Sequence, residues 1–379
     1  MTSSKVKISV IFGTRPEAVK MAPVIAALRK RPQVELQVCV TAQHRRMLDE
    51  TLAAFDIVPD ADLDLMQPGQ TLAQLTSRAV SALDEYLERQ RPEVILIQGD
   101  TTTVLCGALT AFYHKIRIGH VEAGLRTYHK YSPFPEEMNR VLTSHLADWH
   151  FAPTETAKQS LLREGIEEAR IFVTGNTVID ALYHIRGKVR DVSFDEMVEL
   201  KALNSKLDIR NSKIVLVTGH RRESFGEGFR QICQGIKMIA QRFPQVQVVY
   251  PVHLNPNVQE PVKRILGDVD NVHLTEPLSY LPFVKLMDVS HIILTDSGGI
   301  QEEAPALGKP VLVMREVTER PEAVAAGVVK LVGPDAGRIF GEAEKLLTSE
   351  EEYRRMAKGI SPYGDGKAAE RIADILLSD

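Results

Sequence analysis

The chain has 379 residues, of which 44% are hydrophobic and 25% are charged, the composition of a soluble globular protein that can bury large cores. Its length exceeds that of one ordinary core, so two domains are expected. The 46 basic and 50 acidic residues give a formal net charge of -4 without a long run of one sign, which excludes the electrostatic surface typical of nucleic-acid-binding proteins.

Short apolar runs bounded by turn residues alternate with longer amphipathic stretches, a pattern typical of parallel sheets covered by helices on both faces. In the first half of the chain we predict strands over 6–12, 36–41, 94–98, 117–121 and 149–152. In the second half we predict strands over 214–218, 246–250, 272–274, 292–295 and 311–314. The fold class predicted is therefore α/β, with two Rossmann-like doubly wound domains facing a cleft.

The charged, helix-compatible stretch 186–211 has no strand signal and separates the two series of strands. We place the hinge near residue 180, with an N-terminal domain over 1–180 and a C-terminal domain over 181–365. A terminal helix is predicted within 366–379. The sequence leaves open whether that helix packs on the second domain or returns to the first.

The loop after the first strand is basic. Gly13 allows a tight turn, Thr14 offers a hydroxyl, and Arg15 and Lys20 supply positive charge. Loops at the carboxyl ends of parallel strands bind ligands in doubly wound folds, so this loop indicates an anionic group. The glycine pattern is neither that of a dinucleotide-binding site nor that of a P-loop, which disfavours NAD and nucleoside triphosphates.

The pentapeptide RPEAV occurs twice, at 15–19 and at 320–324. Proline and glutamate are common in the first turn of a helix, so the repeat is explained by shared helix-start chemistry. It is equally explained by two helix N-termini that each bring an arginine, Arg15 and Arg320, to an anionic ligand.

A Ser-Gly-Gly loop follows the apolar strand that ends at Thr295 and precedes a predicted helix over 300–307. Ser297, Gly298 and Gly299 present backbone N–H groups at a helix N-terminus, where the helix dipole favours phosphate. The alternative is a plain Ser-Gly turn that caps the helix. Glu303, a turn further on, is placed to accept hydrogen bonds from ribose hydroxyls.

Three carboxylates form a candidate acid/base set. Asp100 and Glu122 each follow an apolar strand and should lie at the same sheet edge as Arg15. Glu136 follows a proline, an ordinary way to open a helix, so taken alone it indicates only a helix start. Acids gathered near one basic loop would have perturbed pKa values suited to proton transfer.

His220 lies in a glycine-bounded loop, 219–226, at the end of the first strand of the second domain. There it could protonate, or donate a hydrogen bond to, a departing phosphate oxygen. The other ten histidines form no zinc-binding spacing, so no metal site is predicted.

The three cysteines, Cys39, Cys106 and Cys233, are scattered, which favours buried thiols in a reducing cytoplasm over a disulfide framework. The N-terminus enters a strand without the apolar core of a signal peptide, and no stretch of 18 apolar residues occurs. We therefore expect a soluble, cytoplasmic protein without a membrane partner.

Seven ordered motifs resemble those of the bacterial non-hydrolysing UDP-N-acetylglucosamine 2-epimerases, a family with the two-domain glycosyltransferase-B architecture. They are GTRPEAVKMAP at 13–23, QGDTTT at 98–103, HVEAGLRT at 120–127, FPEEMNR at 134–140, GHRRESFG at 219–226, YPVHLNP at 250–256 and TDSGGIQEEA at 295–304. The resemblance covers almost the whole chain. It implies a homodimer that interconverts UDP-GlcNAc and UDP-ManNAc without a metal or redox cofactor, supplying ManNAc-type units for cell-surface polysaccharide.

The resemblance also implies residue roles. Asp100, Glu122 and Glu136 correspond to the acid/base set, and His220 to the residue that assists departure and return of UDP. The residues that correspond to phosphate, ribose, uracil and other substrate contacts are Arg15, Lys20, Phe283, Ser297, Gly298, Gly299, Glu303 and Arg320.

The chain departs from the family pattern at three positions. Leu278 stands where bacterial members often have a polar residue, which puts a side-chain contact to uracil in doubt. Gln43, Arg221 and His253 match the pattern of a regulatory UDP-GlcNAc site, but Arg46 replaces a glutamine and Gly69 an arginine. The resemblance therefore does not decide whether the enzyme is allosterically activated.

Three other functions fit the same motifs. A hydrolysing epimerase would release free ManNAc and UDP. A retaining glycosyltransferase of the same architecture would need an acceptor and would not exchange the C2 proton. A non-catalytic sensor of nucleotide sugars would keep its function when Asp100 is changed to asparagine.

Overall fold

A computed structural model describes residues 5–41, 45–67, 69–204 and 212–378. Within them lie thirteen strands: β1 (Val6–Phe12), β2 (Val34–Val40), β3 (Ala61–Asp62), β4 (Val94–Gln98), β5 (Arg117–Val121), β6 (Trp149–Ala152), β7 (Ile171–Val173), β8 (Ile214–Thr218), β9 (Gln247–Pro251), β10 (Val272–Thr275), β11 (Ile292–Thr295), β12 (Val311–Val313) and β13 (Val329–Leu331).

The helices alternate with the strands. In the same described ranges they are α1 (Arg15–Arg29), α2 (Arg45–Ala54), α3 (Leu72–Gln90), α4 (Thr102–Tyr113), α5 (Glu136–Leu146), α6 (Glu155–Arg163), α7 (Thr177–Val189), α8 (Val198–Asn204), α9 (Glu227–Arg242), α10 (Pro256–Leu266), α11 (Tyr280–Val289), α12 (Gly298–Ala306), α13 (Pro321–Ala325), α14 (Ala336–Thr348), α15 (Glu350–Met356) and α16 (Ala368–Ser378). Of these helices, none is long and apolar enough to cross a membrane.

The chain divides into two compact units, one formed by Met1–His184 together with Tyr363–Asp379 and the other by Ile185–Pro362. The first contains a seven-stranded sheet in the order β3-β2-β1-β4-β5-β6-β7, and the second a six-stranded sheet in the order β10-β9-β8-β11-β12-β13. Every recorded strand pair is parallel. The predicted fold class of two Rossmann-like doubly wound sheets is confirmed.

The core of the first unit has two layers because side chains of a strand alternate between the faces of the sheet. Ile8, Val10 and Phe12 of β1 pack on one face with α1 and α16. Ile11 and its neighbours on β4 pack on the other face with α3 and α4. The helix α16, whose position the sequence left open, is thus part of the first unit's core.

Asp180 holds the start of α16. Its carboxylate accepts hydrogen bonds from the backbone N–H groups of Ala368 and Ala369, at 3.3 and 2.9 Å. These are among the first N–H groups of the helix, which have no partner inside it. Asp180 therefore caps α16 from a position almost 190 residues earlier in the chain.

The second unit packs α9, α10 and α14 on one face of its sheet, against Val215 and Val217 of β8. All three cysteines of the chain are buried free thiols, as predicted.

Three strands were not predicted, namely β3, β7 and β13. Each has only two or three residues and lies at an outer edge of its sheet. An edge strand is covered on fewer sides and so lacks the continuous apolar run by which the central strands are recognised.

Candidate active site

The candidate residues of each unit gather where the strand order of its sheet reverses. In the first sheet this point lies between β1 and β4, and in the second between β8 and β11. The loops and helix starts that follow these four strands carry Arg15, Asp100, His220 and Ser297. Doubly wound sheets bind ligands beyond the carboxyl ends of strands at such reversals, so these four residues lie where a sheet of this topology is expected to bind a ligand.

The loop after β1 is packed too closely for a side chain at Gly13. A Cβ atom there would lie 2.1 Å from Thr41 Oγ1 and 2.8 Å from Thr103 Oγ1. These two hydroxyl groups are buried and hydrogen-bonded to each other at 2.9 Å. A close approach, rather than a left-handed backbone, is what requires glycine here.

Glu17 joins the loops after β1 and β4. Its carboxylate accepts hydrogen bonds from the backbone N–H groups of Gly13 and Thr14, at 3.2 and 2.8 Å, and from the Thr101 hydroxyl at 2.9 Å. Burial raises the pKa of Glu17 to about 7, against the opposing effect of these donors. The sequence pattern around Glu17 predicts only a helix start; its role in joining the loops depends on a contact 84 residues away.

Arg15 is the first residue of α1, and its side chain is partly buried. Within the part of the chain that the structure describes, no hydrogen bond or ion pair involves its guanidinium group. The positive charge therefore stands at the N-terminus of a helix, where an anion is also favoured by the helix dipole.

Glu122 is the most heavily contacted of the three candidate acids. Lys20 Nζ lies 2.6 and 2.5 Å from its two carboxylate oxygens, Gln98 donates a short hydrogen bond, and Asn176 Nδ2 donates at 3.2 Å. The backbone of Glu122 has a φ of 62°, a left-handed conformation that is unfavourable for glutamate. Such backbone strain is concentrated at functional sites, where the surrounding structure maintains it.

Lys20, predicted to contact substrate, thus lies on the carboxylate of Glu122. Gln98 and Asn176 were not among the predicted residues. Gln98 was available from its motif next to Asp100, whereas Asn176 follows β7, a strand that the sequence did not reveal.

Asp100 follows β4 and contacts α5. Arg140 forms a short ion pair with its carboxylate, and Asn139 donates a hydrogen bond to its backbone carbonyl at 2.8 Å. Burial raises the pKa of Asp100; Arg140 opposes this effect and the negative charge of Glu122 adds to it. Asp100 and Glu122 are therefore close enough for the charge of one to affect the protonation of the other.

Glu136, the third candidate acid, is the first residue of α5 and is partly exposed. It lies one turn before Arg140 on the helix that contacts Asp100. The next residue, Glu137, is buried and accepts hydrogen bonds from the backbone N–H groups of Thr127 and Tyr128. These contacts fix the start of α5, which positions Glu136.

In the second unit, Ser297 precedes α12, and the helix begins at Gly298 and Gly299 themselves, two residues earlier than predicted. Arg320 lies beside this start: a Cβ atom on Gly298 would be 3.8 Å from its guanidinium group. Arg320 also forms a short ion pair with the buried carboxylate of Glu302. The helix N-terminus and a fixed guanidinium thus offer two favourable partners for phosphate.

Glu303 and Phe283 are linked through Tyr280. The hydroxyl of Tyr280 donates a hydrogen bond of 2.6 Å to Glu303 Oε1, and Phe283 lies one turn further along the same helix, α11. Leu278, just before that helix, is buried. The candidate ribose and uracil contacts are therefore held in one small region of the second unit.

His220 is held by Asp296, the residue between β11 and Ser297. Asp296 Oδ2 accepts hydrogen bonds from the backbone N–H groups of His220 and Arg221, at 2.7 and 2.8 Å. The His220 ring stacks on that of His253, with 5.5 Å between centroids and 15° between planes. Burial lowers the pKa of His220, and the Asp296 carboxylate opposes this shift.

Of the candidate regulatory residues, His253 thus contacts the catalytic candidate His220. Arg221 is partly exposed, and its Nε atom is buried without a hydrogen-bond partner in the described part of the chain. Gln43 and the side chain of Arg46 lie outside the described residues. Gly69 lies in an exposed turn with a φ of 70°.

Across residues 5–41, 45–67, 69–204 and 212–378, no cluster of three or more His, Cys, Asp or Glu side chains could hold a metal ion.

Comparison with known proteins identifies the family. A family model described as UDP-N-acetylglucosamine 2-epimerase matches residues 26–377. The UDP-N-acetylglucosamine 2-epimerase of Salmonella typhimurium is 58% identical over 375 residues, 98% of each chain, and that of Escherichia coli K12 is 57% identical over 373 residues, 98% of this chain and 99% of its own. A crystal structure of the Neisseria meningitidis UDP-GlcNAc 2-epimerase bound to UDP-GlcNAc is 52% identical with a TM-score of 0.90, and the match covers 99% of this chain and 100% of that one.

The match extends through both units, including the loops at which the candidate residues gather. By sequence along almost its whole length and by fold, this chain belongs to the UDP-N-acetylglucosamine 2-epimerase family.

Proposed function

We propose that the chain is an isomerase that interconverts UDP-GlcNAc and UDP-ManNAc by elimination and re-addition of UDP. Membership of the family and the relative solved with UDP-GlcNAc bound support the substrate. The observation that carries the chemistry is the pair of carboxyl groups at the ends of the adjacent strands β4 and β5. Asp100 has a raised pKa and pairs with Arg140, whereas Glu122 pairs with Lys20.

The chemistry of the sugar determines the order in which its bonds break. The C2 proton is not next to a carbonyl group, so its direct removal is unfavourable. Breaking the C1–O bond to UDP first gives C1 oxocarbenium character and acidifies the C2–H bond. A carboxylate then takes the C2 proton, which leaves 2-acetamidoglucal with a C1–C2 double bond. Protonation of C2 from the opposite face and attack of a UDP oxygen on C1 give the epimer.

The two carboxyl groups divide naturally between these steps. Two neighbouring acids can act as proton donor and proton acceptor when their surroundings differ, because the surroundings set the pKa of each acid. Burial raises the pKa of Asp100, which favours its protonated form, while the Glu122 carboxylate is contacted by the Lys20 ammonium and by the side-chain amides of Gln98 and Asn176. Glu136, at the start of the helix that contacts Asp100, completes the set.

The second unit binds UDP in this proposal. Ser297, Gly298, Gly299 and Arg320 supply N–H groups and positive charge for the diphosphate. Glu303 accepts from the ribose, Phe283 lies against the uracil, and His220 assists UDP departure and return.

Deuterium exchange tests the reaction. The protein is incubated with UDP-GlcNAc in deuterated water, and the C2 protons of both sugars are followed by NMR. The expected result is both epimers labelled at C2, because each turnover removes one proton and returns one from solvent. Recovery of unlabelled substrate alone would contradict the proposal.

Asp100→Asn distinguishes an enzyme from a sensor. We expect exchange to slow about 100-fold or more, since general acid–base catalysis contributes at least that much, while UDP binding is retained. Asp148→Asn is the matched control, because Asp148 also pairs with an arginine, at 3.6 Å, but lies at the opposite end of a strand, before β6. Equal activity of the two variants would favour a binding protein.

The same reaction mixture separates the competing enzymes. Net accumulation of free ManNAc and UDP indicates a hydrolysing epimerase. Sugar transfer to an added acceptor without C2 exchange indicates a glycosyltransferase. The homodimer and the cytoplasmic location are further parts of the proposal; light scattering after size-exclusion chromatography tests the first and cell fractionation the second.

A further inference from the structure

Asp296 is a fully buried carboxylate that was not among the predicted site residues. It directly follows β11, which pairs with β8 so that Thr295 lies beside Thr218. The loop after β8 carries His220. Adjacent parallel strands therefore bring Asp296 to the base of the His220 loop.

One carboxylate oxygen fixes the backbone of that loop. Asp296 Oδ2 accepts from the N–H groups of His220 and Arg221, at 2.7 and 2.8 Å. Two backbone donors on one charged oxygen hold the position of the loop relative to β11.

The other carboxylate oxygen faces the imidazole. Asp296 Oδ1 lies 3.5 Å from His220 Nδ1 and is buried. In the described residues no group donates a hydrogen bond to this oxygen. A buried carboxylate oxygen strongly favours a donor, and the Nδ1–H of His220 is the group in place to supply it. The contact is an ion-pair distance and not a formed hydrogen bond in this structure; hydrogen bonds of catalytic pairs often form or tighten only when substrate binds.

Stacking restrains the ring from a second side. The His253 ring lies nearly parallel to that of His220, at 5.5 Å. The backbone clamp, the Asp296 oxygen and the stacked ring together leave the Nε2 edge of His220 facing away from Asp296.

We propose that Asp296 is a positioning residue that holds His220 in the Nδ1–H tautomer, with Nε2 as the atom that exchanges a proton with the UDP leaving group. This inference rests on the function proposed above. As the C1–O bond breaks, the imidazolium Nε2–H gives its proton to the departing phosphate oxygen. On UDP return, Nε2 takes the proton back as the C1–O bond forms.

The charges around His220 make Asp296 the group that favours its protonation. Burial lowers the pKa of His220, and the positive charge of Arg221 and the neighbouring His253 lower it further. Asp296 alone among these groups opposes the shift. Loss of its charge should therefore lower the population of imidazolium at a given pH.

Asp296→Asn removes the charge and keeps the clamp. The asparagine carbonyl can still accept from the two backbone N–H groups, and its NH2 group then faces Nδ1. Because an NH2 group donates, Nδ1 must become the acceptor and the proton must move to Nε2. In serine proteases, replacing the aspartate of the catalytic triad by asparagine likewise leaves the histidine in the wrong tautomer.

The readout is ¹⁵N NMR of the imidazole nitrogens across a pH series. The His220 signals are identified among those of the 11 histidines by their absence from the His220→Gln spectrum. We expect Nδ1–H in the wild-type protein, and Nε2–H with a lower apparent pKa in Asp296→Asn. We also expect kcat to fall about 100-fold with UDP affinity retained.

Asp335→Asn is the matched control. Asp335 also accepts a backbone N–H, that of Arg338 at 2.7 Å, but caps α14, and among the described residues no hydrogen bond or ion pair joins it to a histidine. It should leave the His220 signals and turnover unchanged.

An unchanged tautomer and pKa in Asp296→Asn would overturn the inference. If that variant does not fold, the wild-type spectrum decides, because neutral His220 protonated on Nε2 contradicts the pairing. NMR reports the tautomer without turnover, so the two tests are independent. The Asp296–His220 pairing can be confirmed even if no deuterium exchange is found, and it can be contradicted even if exchange is found.

Discussion

Gly13→Ala should destabilise the first unit because of one defined clash. The new methyl group would lie 2.1 Å from Thr41 Oγ1, so Thr41 must rotate and break its hydrogen bond with Thr103. Overpacking costs about 1–3 kcal/mol, and the lost buried hydrogen bond adds about 1 kcal/mol. We therefore expect the free energy of unfolding to fall by roughly 2–4 kcal/mol.

The chain provides its own probe for this measurement. Trp149 is its single tryptophan, lies in the first unit and is buried. Urea unfolding followed by tryptophan fluorescence therefore reports on the first unit. A shift of the midpoint with an unchanged slope is the expected signature of a pure stability change.

A double-mutant cycle identifies the clash as the cause. Thr41→Ala alone should cost about 1–2 kcal/mol, because Thr103 loses its partner. In Gly13→Ala/Thr41→Ala the nearest clashing atom is gone, so the double variant should be more stable than the sum of the single effects by at least about 1 kcal/mol. Additive costs, or a Gly13→Ala midpoint equal to the wild-type value, would refute the reasoning.

Three further predictions follow from buried contacts. Burial raises the pKa of Asp180 from 3.8 to about 6. The contribution of this carboxyl group to stability is therefore full below pH 3.8 and is lost as the pH rises through 6. The difference in unfolding free energy between the wild type and Asp180→Asn, followed by the same fluorescence assay, should shrink over that range. Lys20→Met leaves the Glu122 carboxylate buried without its cation and should cost about 3–5 kcal/mol in urea unfolding. Tyr280→Phe removes the hydroxyl that hydrogen-bonds to Glu303, the residue proposed to bind the ribose. The preference for UDP over 2′-deoxy-UDP, measured by calorimetric binding, should therefore be smaller in this variant.

Matched controls keep these predictions specific. Lys30→Met breaks an exposed ion pair with Glu370 and should lower the free energy of unfolding by less than about 1 kcal/mol. An equally small loss in Lys20→Met would contradict the expected cost of breaking the buried Lys20–Glu122 pair. Tyr113→Phe alters an exposed hydroxyl and should leave nucleotide preference unchanged. A constant difference between Asp180→Asn and wild type from pH 3.8 to 7 would contradict the titration of Asp180.

The central strands were predictable because burial on both faces leaves a continuous apolar run in the sequence. Six of them, such as β4 (Val94–Gln98), have the predicted bounds. The three missed strands are short edges whose side chains are partly exposed, as in β13. The position of α16 was not predictable, because an apolar helix face does not specify which of two units it covers.

The sequence located the loops of the site but not the contacts within them. A strand end followed by a charged residue marks Asp100 and Glu122, since the topology fixes where strand ends lie. The partners of these acids come from distant parts of the chain, as Asn176 does for Glu122 across 54 residues. Such pairings leave no local pattern, and they decide which cation each acid pairs with, Arg140 for Asp100 and Lys20 for Glu122.

The contribution of α16 to the first unit's core affects the order in which the protein can fold as it is synthesised. The ribosome delivers residues 1–184 first and then the whole second unit, before the last segment emerges. Until then, the apolar surface that Ile372 and Leu376 cover, including part of α1, has no partner. The unit that begins first is therefore completed last, and a nascent chain exposes an apolar face that a chaperone can recognise throughout synthesis of the second unit.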